Sequence, residues 1–155
     1  MSFYKNVVWI TGASSGIGKA LAIAFSKQQT RIIISARNKT ALEAVKNDCL
    51  YPDRVYVLPL DLEDTSNFDS KVNEAIAHFG HIDILINNGG ISQRSFIKDT
   101  QITVDKRIMD INYLGTIALT KVLLPHFMEN KKGHFVVTTS IVGKIGTPLR
   151  SSYAA

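Results

Sequence analysis

A chain of 155 residues is enough for one domain and too short for several, and at this length folding buries about two-thirds of the unfolded surface. Hydrophobic residues at 45% and charged residues at 20% exclude a disordered segment. Eighteen Lys and Arg against thirteen Asp and Glu give a net charge of +5, but the basic residues are scattered, which reads as solvated surface and argues against nucleic-acid binding.

Short, largely β-branched runs alternate with segments of helical period, the pattern of a parallel sheet covered by helices on both faces. Val7 to Ile10 is the first strand, and four apolar residues fall far short of a signal peptide's apolar region. Nowhere do about eighteen apolar residues run together, so no membrane span is expected. The first helix should bury Ile17, Ala20, Leu21, Ala24 and Phe25, which recur at helical spacing. Arg31 to Ser35 is the second strand. In the next helix Leu42, Val45 and Cys49 form the apolar stripe, and Thr40 with Glu43 reads as a capping box. Cys49 is the lone cysteine, an apolar filler that excludes a disulfide framework and multi-cysteine metal sites; no metal is expected.

Val55 to Leu60 is the third strand. Thr65 and Ser66 are cap candidates for a helix that buries Phe68, Val72, Ala75, Ile76 and Phe79 and stops at Gly80. Ile82 to Ile86 is the fourth strand. From Thr103 to about Asn130 one long helix is expected, its stripe running Val104, Ile108, Ile111, Gly115, Ala118 and Val122, with Pro125 tolerable near the end. Phe135 to Thr139 is the fifth strand. No linker or repeat interrupts this order, so residues 1–155 read as one unit. A doubly wound sheet binds its ligand at the carboxyl ends of the strands where their order reverses, so functional residues should follow the strands.

Directly after the first strand comes Thr11-Gly12-Ala13-Ser14-Ser15-Gly16-Ile17-Gly18, opening a helix. A glycine-rich turn there lets backbone approach a pyrophosphate, whose charge the helix's free amides stabilise. Three residues separate the first two glycines, unlike the common G-x-G-x-x-G. A phosphate-binding Walker loop is excluded, because Gly18-Lys19 is followed by Ala20 and no hydroxyl is left for magnesium.

This loop resembles the cofactor loop of the classical short-chain dehydrogenases/reductases (SDRs). The resemblance extends in order through Asp61 after the third strand, Asn87-Asn88-Gly89-Gly90 in place of the family's Asn-Asn-Ala-Gly, Asn112 in the long helix, Ser140 after the fifth strand and Tyr153. It implies a Rossmann-like doubly wound sheet of order 3-2-1-4-5, the family's later strands lying outside this chain. It implies cofactor contacts from Gly12, Ser14, Ser15, Gly16, Ile17, Gly18, Asp61, Leu62, Asn88, Gly89 and Gly90, with Asp61 at the adenine amino group. A homo-oligomer acting on a small-molecule carbonyl or alcohol follows by the same resemblance, sterol, sugar, acyl chain and small ketone all being open, and the lone cysteine fits the reducing cytoplasm.

The end of the second strand sets cofactor choice, since a carboxylate there would repel a 2′-phosphate. The residues are Ser35-Ala36-Arg37, with no acid, and the Arg37 fork suits a phosphate. NADP(H) is therefore favoured over NAD(H), with Arg37 as the phosphate contact and Ser35 a possible second donor. Carried over from the family, Tyr153 moves the proton, Ser140 holds the reacting oxygen and Asn112 positions a water. The family's lysine four residues after the tyrosine would fall beyond Ala155, so the 155 residues alone are expected to be nearly inactive. Gln93, Arg94 and Arg150 read as solvent-exposed loop residues. A non-catalytic dinucleotide-binding module, sensor or scaffold, accounts for the loop but leaves Ser140 and Tyr153 without a purpose; a methyltransferase leaves Asn112 unexplained as well.

Overall fold

Alternate residues of each strand point to opposite faces of a sheet, and the apolar runs of this chain fill both. The computed structural model describes residues 3–154 and forms a five-stranded sheet of order β3-β2-β1-β4-β5. The strands are β1 (Val7–Thr11), β2 (Arg31–Ser35), β3 (Val55–Val57), β4 (Ile84–Asn87) and β5 (His134–Val137). Every pairing is parallel, and β1 lies between β2 and β4. The helices are α1 (Gly16–Ser26), α2 (Lys39–Asp48), α3 (Phe68–Phe79), α4 (Ile102–Ile108), α5 (Thr116–Glu129) and the short α6 (Ser151–Ala154). One face of the sheet, through Val7, Trp9, Ile33 and Leu85, packs on α3 and α5; the other, through Val8, Ile10, Ile32, Ile34 and Ile86, packs on α1 and α2.

Several local readings of the sequence are corrected. The α2 cap is Asn38, whose Oδ1 accepts the Ala41 N–H at 3.0 Å; Thr40 already lies inside the helix, so no Thr40–Glu43 box forms. Thr65 and Ser66 belong to a 3₁₀ turn capped by Asp64, and α3 starts only at Phe68. Gly80 stops α3 as expected, with φ of 82°. The buried stripe of α1 is Gly18, Ala22 and Ser26, whereas Ile17, Ala20 and Ala24 face outward. Small residues let α1 lie close to the sheet, and hydrophobicity alone points to their larger neighbours. Cys49 is 5% exposed, and burial pushes its thiol up, as befits a filler.

The long helix is broken. Between α4 and α5, Met109–Gly115 forms π-helix, a conformation frequent at functional sites. β5 departs from the expected two-sided burial: Val136 and Val137, which point to opposite faces, are 37% and 52% exposed, because at this edge of the sheet neither face is fully covered by a helix. Among the described residues no helix is long and apolar enough to cross a membrane, and no group of three or more His, Cys, Asp or Glu could hold a metal.

The far end of the sheet is tied by Asp83, which is 5% exposed. Its Oδ2 accepts the Val7 N–H at 2.8 Å, its Oδ1 accepts Lys132 Nζ at 2.6 Å, and its carbonyl accepts the His134 N–H at 2.9 Å. Burial works to raise this carboxyl, but the bonds from Lys132 and Val7, with the Lys132 and His81 charges, outweigh it and hold the group below the usual range. A carboxyl depressed by folding stabilises the native state above its unfolded value of about 3.9 and loses that contribution as pH falls through the folded value. Asp83→Asn is expected to destabilise the fold by about 1–3 kcal/mol at neutral pH, mainly through loss of the charged oxygen that accepts Lys132 while its neighbour accepts the Val7 N–H. Urea melts should show the gap between wild type and variant closing below about pH 4; a gap independent of pH would contradict the assignment.

Candidate functional site

Where the strand order reverses, between β1 and β4, the loops leaving the two strands separate and a cavity of about 880 Å³ opens. Its wall includes Gly12, Ser14, Ser15 and Ile17 from the first loop, Arg37 after β2, Asp61 and Leu62 after β3, and Asn88, Gly89 and Gly90 after β4. Asn112 from the π segment, Ser140 after β5 and Tyr153 from α6 complete it. Gly16 and Gly18 are not on the wall. Gly16 makes the turn with φ of 54°, and Gly18 lies beneath the loop, where a Cβ would come 2.4 Å from the Gly12 carbonyl oxygen.

Thr11, to which the sequence reading gave no role, holds the two central loops together. Its Oγ1 accepts the N–H groups of Asn88 at 3.0 Å and Gly89 at 2.9 Å. The Asn88 Nδ2 in turn donates to the carbonyls of Thr11 at 3.2 Å and Gly12 at 3.4 Å. The signal was a hydroxyl at the last buried position of β1, where an aliphatic residue would otherwise serve. Gly12 has φ of 65°, and a Cβ on it would lie 2.6 Å from Gly89 Cα, so the loops touch backbone to backbone. The family's alanine at position 89 would place its Cβ 2.7 Å from Leu62 Cδ1, a side-chain end that can yield.

At the start of α1, Ser15 is the cap residue, but its side chain makes no capping bond and the first turn carries no acid. The first amides therefore stay available to an anion. Lys19 is engaged in an ion pair with Asp48 at 2.7 Å. Beyond β2, the Ser35 hydroxyl accepts the Trp9 indole N–H at 2.8 Å and the residue is 1% exposed, so it is committed to the sheet. Arg37 is exposed, with no hydrogen-bond or ion-pair partner among the described residues. Asp61 Oδ1 accepts the Glu63 N–H at 3.1 Å. Open amides, a glycine-bearing loop and a cation unpaired among the described residues, all on one cavity wall, fit a dinucleotide carrying phosphates.

The opposite end holds the groups suited to proton chemistry. The π turn presents Asn112 to the loop after β4: its Oδ1 accepts the Ile91 N–H and its Nδ2 donates to the Ile91 carbonyl, both at 2.8 Å. Gly115 ends the turn because the Leu62 carbonyl approaches to 2.2 Å of where its Cβ would be. Ser140 Oγ accepts the Val142 N–H at 3.3 Å and caps the following 3₁₀ turn. Among the loop residues, Arg94 is exposed as expected, but Gln93 is 5% exposed and Arg150 is half-buried.

Residues 6–155 match the family model described as short chain dehydrogenase. Human Dehydrogenase/reductase SDR family member 7 is 47% identical over 154 residues, covering 96% of this chain and 45% of that protein. Mouse Dehydrogenase/reductase SDR family member 7B is 41% identical over 160 residues, covering 99% and 50%. The chain thus spans about half the length of the curated relatives it matches. A short-chain dehydrogenase from Streptomyces avermitilis superposes with a TM-score of 0.90 at 31% identity, covering 99% of this chain and 56% of that one. With the match running from the first strand through the tyrosine, the chain belongs to the short-chain dehydrogenase family of oxidoreductases, whose members bind a nicotinamide dinucleotide.

Proposed function

We propose that this chain supplies the cofactor cradle and proton-transfer groups of an NADP(H)-dependent oxidoreductase that interconverts a carbonyl and an alcohol. The observation that carries the reading is the shared wall: the glycine loop and Asn112, Ser140 and Tyr153 border one cavity at the reversal of strand order. The bound nicotinamide supplies or accepts the hydride. In reduction, the Tyr153 phenol gives its proton to the oxygen that gains charge, and the Ser140 hydroxyl donates to that same oxygen. Asn112, with both ends of its amide on Ile91, fixes the loop that borders the reacting centre. The amides opening α1 take the paired phosphates, and Arg37 takes the 2′-phosphate. A second copy of the chain is proposed as partner on the family resemblance.

Titrating NADPH into the protein should enhance its fluorescence, and a panel of ketones, aldehydes and secondary alcohols should identify a substrate in the full-length protein. Unchanged NADPH fluorescence, with S-adenosylmethionine bound instead, would overturn the reading; NADPH bound without turnover of any substrate would favour the non-catalytic module. For Arg37→Ala, loss of a charge-assisted bond is expected to weaken NADPH about 10- to 100-fold and leave NADH nearly unaffected. Equal weakening of both cofactors would remove Arg37 from the phosphate.

A further inference from the structure

Arg150 is absent from the cavity wall, although residues it touches are on it. Its Nη1 donates to the Ser92 hydroxyl and, at 3.2 Å, to the Gln93 carbonyl. Its guanidinium carbon lies 5.6 Å from the centre of the Tyr153 ring. Backbone bonds join the same two segments: the Ser95 N–H donates to the Leu149 carbonyl at 3.2 Å, and Ser95 pairs with Arg150 in an isolated parallel bridge. On the loop side, Gln93 Nε2 donates to the Ser95 carbonyl at 3.0 Å and the Ser95 hydroxyl at 2.7 Å, and the hydroxyls of Ser95 and Thr100 are 2.6 Å apart. On the tyrosine side, the Ala154 N–H donates to the Arg150 carbonyl at 2.9 Å.

We propose that Arg150 is a positioning residue for Tyr153, bridging the phenol ring to the Ser92–Gln93 stretch of the loop after β4. The inference rests on the reading of Tyr153 as proton donor and extends it to a residue outside the cavity. α6 is a single turn, too short to hold a side chain by its own helical stability. The loop it is tied to is already fixed by Asn112 at Ile91. Arg150 thus connects the tyrosine to a point that the π turn has located, and the guanidinium suits this because its planar face can lie against an aromatic ring while its edge donates to two oxygens. A lysine carries the charge without the fork.

Kinetics and amide exchange on the full-length protein test the bridge. Because misplacing a reacting group by about 1 Å costs on the order of 10²-fold in rate, Arg150→Ala is expected to lower kcat about 10- to 100-fold with KM for the carbonyl and NADPH affinity unchanged. Arg150→Lys should recover only part of the loss. If Arg150 acts through the phenol, adding Arg150→Ala to Tyr153→Phe should slow the enzyme no further. A raised KM at unchanged kcat, full recovery by lysine, or multiplying effects in the double variant would overturn the proposal. Hydrogen exchange reads the bridge without turnover: the Ser95 and Ala154 amides should lose protection together in Arg150→Ala, and unchanged protection refutes the bridge. A wild type inactive on every carbonyl would defeat the reading of Tyr153, and the exchange result would still decide the bridge.

Discussion

Tyr153→Phe should lower turnover of the full-length protein about 10²- to 10⁴-fold, the range spanned by a positioned general acid, and leave NADPH affinity unchanged. The phenyl ring keeps the face that Arg150 lies against, and α6 keeps its attachment to the loop after β4. What disappears is the one phenol among the residues lining the cavity, where Ser92, Thr139 and Ser140 carry only alcohol hydroxyls. Ser140 cannot replace it, because a serine hydroxyl is far too weak an acid. Steady-state oxidation of NADPH with a reducible ketone measures the loss. A variant turning over within a few-fold of wild type would show that the proton comes from elsewhere.

Gly12→Ala carries the second large effect, and it falls on the cradle. At φ of 65° an alanine is strained, and its Cβ would lie 2.6 Å from Gly89 Cα and 2.9 Å from Gly89 N. Both are backbone atoms, held by the Thr11 hydroxyl, so relief requires the loops after β1 and β4 to part. A destabilisation of about 2–4 kcal/mol is expected from strain plus overpacking, together with loss of NADPH binding. Gly16→Ala is the internal control. Its φ of 54° is also left-handed, but nothing lies within 4 Å of the added carbon, so about 1 kcal/mol of strain should be the whole cost. Thermal melts of the two variants should differ by several degrees, since each kcal/mol moves Tm by about 2–4 °C at this size. Equal melting temperatures would show that the loops are not in rigid contact.

The sheet and its ligand face were legible because strands buried on both sides must be apolar throughout, and five such runs separated by helical segments admit few topologies. Detail was lost where backbone geometry departs from the ideal period. The sequence stripe of the long helix steps from Gly115 to Ala118 and Val122, but the buried residues beyond the π segment are Leu119, Leu123 and Phe127. The wider π turn rotates the following helix by one residue, and no hydrophobic pattern announces it. The α2 cap was missed because Asn38 and Thr40 are both good capping residues, and only the chain's path out of β2 selects between them. Among the residues that line the cavity, Gly12, Gly89, Gly90 and Tyr153 stood out by motif order. Thr11 and Arg150 did not, since each acts on a partner at least fifty residues away or on a ring whose orientation sequence leaves open.

The hydroxyl of Thr11 gives the two innermost loops one shared anchor. A shared anchor divides the chain into a part that must be inherited intact and parts that can drift. Residues 96–99 and 144–148 lie beyond that anchor and outside the bridge made by Arg150, and can change length or character without disturbing the glycine loop. Divergence in what such a protein acts on is therefore free to accumulate at the outer rim, while the machinery that every substrate needs stays constant.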